Sequence, residues 1–271
     1  MKRSFRNLLF IVAIVQAISG IAFALQAPFV TQLWHSLLPG ATPLSLTFAG
    51  SIFAAAAAST LWCLMASTED GALAGIALDY LVIFFPMSLY IFQMATTEGN
   101  SSLLVFAALC ALGVVFGAIL YFLTRNIPIR DMRPQPRLVR LSFGFFILAL
   151  VVVGGAMVLR VPNVMPWPIS TDESVIYGWM FLGAATYFAY SLLRPSWANS
   201  AGQLAGFLAY DLVLIIPFLA RFGAEIPQQF MFGHLFYTAV VIFSGALAIY
   251  YLFLNPETRL SRQRALPSAA T

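Results

Sequence analysis

The sequence predicts an all-α fold, a polytopic transmembrane bundle of eight spans built as two parallel four-helix repeats. Three observations carry this: composition, the length of the apolar runs, and a recurrence of residues between the two halves. Of 271 residues, 61% are hydrophobic and 9% charged, where a soluble domain carries about 25% charged residues. The mean hydropathy is +0.89. A soluble globule cannot hide that much apolar surface, and a disordered chain would not contain it. Two cysteines exclude a disulfide scaffold, and a net charge of +4 offers no basic groove for nucleic acid.

A membrane helix needs about 20 mostly apolar residues. Eight stretches qualify: 7–26, 44–66, 72–93, 103–123, 141–160, 174–193, 203–220 and 230–254. A β-barrel would alternate in polarity instead. Twelve of the 14 Lys and Arg fall on one predicted side. They are Lys2, Arg3 and Arg6 at the start, Arg125, Arg130, Arg133, Arg137 and Arg140 in the central loop, Arg194 after span six, and Arg259, Arg262 and Arg264 at the end. Only Arg160 and Arg221 fall on the other. This asymmetry places both termini in the cytoplasm of a plasma membrane. Span one, with its basic start and small residues near its end, has the outline of a signal peptide. Its likeness to span five argues for a retained helix.

The halves meet at the basic segment 125–140, a cytoplasmic linker between a first repeat (1–124) and a second (141–256), with a tail at 257–271. Arg6 and Arg140, Gly20 and Gly154, and Pro28 and Pro162 are each offset by 134. Gly50 pairs with Gly183 near the start of spans two and six. The clearest match joins 73–86 (LAGIALDYLVIFFP) to 204–217 (LAGFLAYDLVLIIP), offset by 131. Four is even, so both copies enter the membrane in the same direction, as one class of transporter repeats does.

The connections are short. Thr42-Pro43 reads as an N-cap followed by Pro at the first helical position. Thr171-Asp172-Glu173 reads as an oxygen cap with two carboxylates in the first turn of span six. Two Trp/Pro loops, 33–43 and 164–170, lie on the outer side. Trp34, Trp167 and Trp179 read as interfacial anchors, with a lid over a cavity between the repeats as the alternative. Asn100-Ser101-Ser102 matches the glycosylation sequon and reads as coincidence. The linker arginines can meet anionic lipid headgroups.

Ionisable groups inside a membrane are functional hypotheses by default. Asp79 in span three and Asp211 in span seven each lie about eight residues, or ~12 Å, from the cytoplasmic end. The first copy reads Asp79-Tyr80 and the second Tyr210-Asp211. That one-residue displacement turns the carboxylate by about 100° on a helix. Pro86 and Pro217 follow in the same spans and kink them, freeing the carbonyls of Val82 and Val213. A carboxyl, a phenol and a free carbonyl within two turns can bind a proton, a cation or an amine. The same pattern also fits a protonated carboxyl that clips two helices together.

His234, near the outer end of span eight, can relay protons with Asp211 or serve as a buried hydrogen-bonding residue. His35 belongs to an outer loop. No metal-ligand spacing, nucleotide fingerprint, nucleophile elbow or catalytic residue emerges, and no cofactor is expected. Cys63 and Cys110 read as small core residues. Gly113-x-x-x-Gly117 and the run 54–59 read as helix-packing surfaces. Gln16 and Gln93 read as interhelical amides. The reading these residues favour is small-molecule binding or proton-linked transport through a cavity between the repeats. The alternatives are a structural or partner-binding membrane subunit and, more weakly, a lipid-modifying enzyme using Glu69/Asp70 or Asp172/Glu173.

Overall fold

The computed structural model describes residues 1–131, 133–224 and 226–260; Arg262, Arg264 and the rest of the tail from 261 lie outside them. The described residues are helical, with no strand among them. Eight helices are long and apolar enough to cross a membrane. They are α1 (Arg3–Ala24), α3 (Pro43–Leu61), α4 (Leu73–Glu98), α5 (Ser101–Thr124), α6 (Arg137–Val158), α7 (Thr171–Leu193), α8 (Trp197–Ala220) and α9 (Gln228–Ile249). A π-turn extends α3 over Trp62–Ala66 and another extends α9 over Tyr250–Leu254. A shorter helix, α2 (Pro28–Leu37), occupies part of the first Trp/Pro loop.

Local chemistry sets the ends. Thr42 caps α3 by accepting the Ser45 N–H, with Pro43 in the first turn. The cap of α7 is Ser170, one residue before the expected Thr171. Its hydroxyl accepts the Glu173 N–H at 3.1 Å while the Glu173 carboxylate accepts the Ser170 N–H at 3.0 Å, a closed capping box. Gly99, at φ 67°, stops α4, and Asn100 caps α5 through the N–H groups of Ser102 and Leu103. The sequon asparagine is thus a helix cap. α8 starts at Trp197, six residues ahead of its apolar run, because Ser196 caps it and Asn199 donates to the Arg194 carbonyl at 2.7 Å.

Packing sorts the helices into an inner and an outer set. About half of the apolar window is buried in α3, α4 and α7, against 22% in α1 and 28% in α5 and α6. The outer faces carry Ile11, Val15, Ile18, Leu112, Phe122 and Leu148, all exposed, as bilayer-facing helices would. The strongest pairings are α4 with α5, α6 with α7, and α1 with α3, while α8 packs more lightly on α9. Across the halves α3 packs on α8, and α4 on α7.

Glycines set several of these approaches. Gly20 and Gly50 meet between α1 and α3, and Gly154 and Gly178 meet between α6 and α7. A Cβ on Gly50 would stand 2.8 Å from the Gly20 oxygen, and one on Gly178 would stand 2.8 Å from the Gly154 oxygen. Gly50 and Gly178 are each the eighth residue of their helix. Gly113 and Gly117 face Phe84 and Tyr80 of α4, inside the bundle. Cys63 and Cys110 are buried and free.

One end of the bundle gathers the charges. Buried Glu69 accepts the backbone N–H groups of Arg130 and Asp131 at 3.1 and 2.9 Å, pinning the central linker. Asp70 lies 3.4 Å from the terminal amine and 3.7 Å from Arg6. Arg133 pairs with Asp131 at 2.6 Å and donates to the Glu257 carbonyl. Arg137 and Arg140 remain exposed.

Candidate functional site

Helices α3, α4, α7 and α8, with side chains from α1, α6 and α9, leave a cavity of about 230 Å³ inside the bundle. Its wall is mostly aliphatic and aromatic, and it takes Asp79 and Tyr80 from α4 together with Tyr210 and Asp211 from α8. The structure thus brings four of the five expected binding residues to one space. No Lys, Arg or His lines it.

The two carboxyls are held differently. Asp79 Oδ1 is buried without a hydrogen-bond partner and lies against Gly183 of α7, where a Cβ would stand 2.6 Å away. Asp211 is 4% exposed and leans on α9. The Ser244 hydroxyl lies 3.0 Å from Asp211 Oδ1 and shares its proton with the Val240 carbonyl at 2.7 Å, Gly245 makes room beside the carboxyl, and Oδ2 has no partner. The displacement by one residue therefore aims Asp79 at the opposite half and Asp211 at its own. Because α8 begins early, Asp211 lies ~21 Å along its helix, deeper than the ~12 Å expected from the apolar run.

The phenols are also paired with neighbours. The Gln16 amide of α1 lies 2.9 Å from the Tyr80 hydroxyl, so this residue is an interhelical amide that also lines the cavity. Gln93 is exposed instead, with no interhelical bond. The Tyr210 hydroxyl bonds that of Tyr237 on α9.

Sequence reading missed two lining groups with unpartnered polar atoms, the Tyr187 hydroxyl and Gln203 Oε1. Gln203 carried a signal, as an amide at the start of an apolar run. Tyr187 carried none that separates it from nine other tyrosines. Four buried polar atoms without partners thus share one cavity, although each such atom costs roughly 1–3 kcal/mol to leave unpaired.

The loop before α7 closes the end of the cavity away from the charged end. Val164, Met165 and Pro166 line it there. Arg221, at the end of α8, donates to the Pro166 carbonyl at 2.9 Å. Trp167 donates its indole N–H to Ser45 at 3.2 Å and packs on Phe48, Phe218 and Tyr237. Trp34 and Trp167 are both buried, so neither is a lipid-facing anchor; Trp179 is half-buried.

His234 does not reach the cavity. It is buried on α9, bonded to the Phe218 carbonyl at 3.0 Å and stacked on the Phe218 ring, so it does not join Asp211 as a relay partner. His35 is exposed and bonds the Ala41 carbonyl. Pro86 and Pro217 lie inside helices that run on past them, and neither lines the cavity. Asp172 accepts the Tyr90 hydroxyl at 2.6 Å, outside the cavity. Among the described residues no three His, Cys, Asp or Glu side chains gather as metal ligands.

No protein-family model, curated protein or solved structure matches the chain.

Proposed function

We propose that this chain is a multi-pass membrane protein that binds a compact small molecule between two parallel four-helix repeats, with binding linked to protonation of Asp79 and Asp211. The observation that carries this reading is the shared cavity. Two carboxyls from different halves line one space, each with an oxygen left without a partner. A purely structural carboxyl would have both oxygens satisfied.

Parallel repeats are supported by matched details. Each helix of the first half has packing partners that recur four spans later. Gln26 and Arg160, 134 residues apart, both turn left-handed (φ 53° and 61°) where α1 and α6 end. Thr42 and Ser170 cap the next long helices alike. The arginine asymmetry supports an orientation with both termini cytoplasmic, and we take the membrane to be a plasma membrane. Exposed Arg137 and Arg140 are placed to meet anionic lipid headgroups there. In this reading, Pro86 and Pro217 give α4 and α8 points at which to bend around the cavity.

The Ser244–Asp211 bond favours a second reading for that residue alone, an interhelical clip. Carbodiimide labelling of purified protein across a pH series, read by peptide mass spectrometry, separates the two. A hydrophobic carbodiimide modifies protonated carboxyls it can reach. Labelling of Asp79 that fades as pH rises is the expected result. Intact protein that labels at neither aspartate at any pH would favour sealed clips and a structural or partner-binding subunit.

A further inference from the structure

The cavity is lined by α6 and α9 as well as the inner helices; these two meet at Phe146 and Phe243, 6.1 Å apart between ring centroids, but their backbones are not closely packed. On the side of that contact nearer the loop 164–166, Ala149, Leu150 and Val153 of α6 and Gly233, Phe236 and Val240 of α9 line the cavity. Phe236 lines the cavity and is 44% exposed at once, which makes it part of a rim. The slot lies in the half of the bundle nearer the loop 164–166, at a depth where a bilayer would cover it. The polar groups inside are acidic or neutral, and the rings of Phe84, Phe207, Tyr210 and Tyr237 line the same space. Ring faces and carboxylates both favour an organic cation. A dry cavity of ~150 Å³ holds benzene, so about 230 Å³ suits one ring with a short chain.

Resting on the function proposed above, we infer that the ligand is a compact lipid-soluble amine that arrives from the bilayer through the slot between α6 and α9 and is held as an ammonium ion by Asp79. The neutral amine takes the proton of the Asp79 carboxyl. The O–H bond breaks, an N–H bond forms on the amine, and a carboxylate and an ammonium ion remain in contact. No net charge enters the core, so the step avoids the cost of burying a lone ion. Asp79 is the acceptor because no hydroxyl occupies it, whereas Ser244 already holds Asp211.

The test uses N,N-dimethylbenzylamine and its neutral isostere isobutylbenzene with the full chain in lipid nanodiscs. Binding is measured by equilibrium dialysis and by protection of Asp79 from dicyclohexylcarbodiimide. The amine is expected to bind at least tenfold more tightly than isobutylbenzene and to protect Asp79. Asp79→Asn is expected to remove that preference, and Val153→Trp to slow association of the amine at least tenfold. If both compounds bind equally while Asp79 still labels, the amine assignment is overturned and the small-molecule cavity stands. If neither binds and neither aspartate labels, the underlying reading falls with it. An unchanged association rate in Val153→Trp overturns the lateral route. The protection assay needs only the unmodified protein, so it decides the assignment even if Asp79→Asn fails to fold.

Discussion

Asp79 and Asp211 differ by one place in otherwise matching segments, and that place decides what each touches. A shift of one residue moves Asp211 onto α9, where a serine and a glycine receive it, and leaves Asp79 facing the other half. Ser244→Ala removes the one hydroxyl that Asp211 accepts. It is expected to destabilise the bundle by ~1–3 kcal/mol, since a buried acceptor loses its donor. A thermal melt in detergent measures this. The same variant should also raise carbodiimide labelling of Asp211, because no serine hydroxyl then holds its carboxyl against α9. His234 illustrates the opposite case. Its position near the end of a span suggested a relay, but the Phe218 carbonyl and ring take up its imidazole.

At the scale of elements, hydropathy made the eight spans legible because lipid-length apolar runs are hard to mistake. The starts were less so. Asn199 and Ser200 are polar, and they hid the first turns of α8 although both are buried against the preceding turn. Helix α2 was read as loop, yet Val30, Trp34 and Leu37 recur at helical spacing behind Pro28 and form its buried face. That the two carboxyls face differently was legible from their one-residue displacement, but which neighbour each meets was not, because depth and rotation along a single helix do not supply it. Close helix approach yields a direct test. Gly50→Val drives a side chain into the Gly20 carbonyl and the Ala24 backbone at the end of α1. It is expected to separate α1 from α3 and lower the melting temperature, whereas Gly144→Ala, inside α6 with nothing within 4 Å, should raise it slightly. Gln26 holds a left-handed turn at φ 53° that costs a non-glycine residue ~1–2 kcal/mol. Gln26→Gly is therefore expected to stabilise the protein by ~1 kcal/mol in the same melt.

For the whole molecule, the asymmetry of arginines makes a prediction about sidedness. Cys63 and Cys110 are buried and give little background to a membrane-impermeant maleimide. Arg137→Cys should resist the reagent in intact cells and react after permeabilisation, while Asn163→Cys should react in both. The reverse pattern would invert the orientation. The arrangement of the loop before α7 has a further, optical consequence. Trp167 sits beside the closed end of the cavity, dry and hydrogen-bonded to Ser45, while Arg221 ties down its neighbour. An indole so placed emits at short wavelength, and water reaching it shifts the emission to the red. With Trp34→Phe, Trp62→Phe, Trp179→Phe and Trp197→Phe in place, the remaining fluorophore would read the loop alone. Arg221→Gln should then redden its spectrum by letting the loop lift, turning a single side chain into a gauge of whether the cavity is shut.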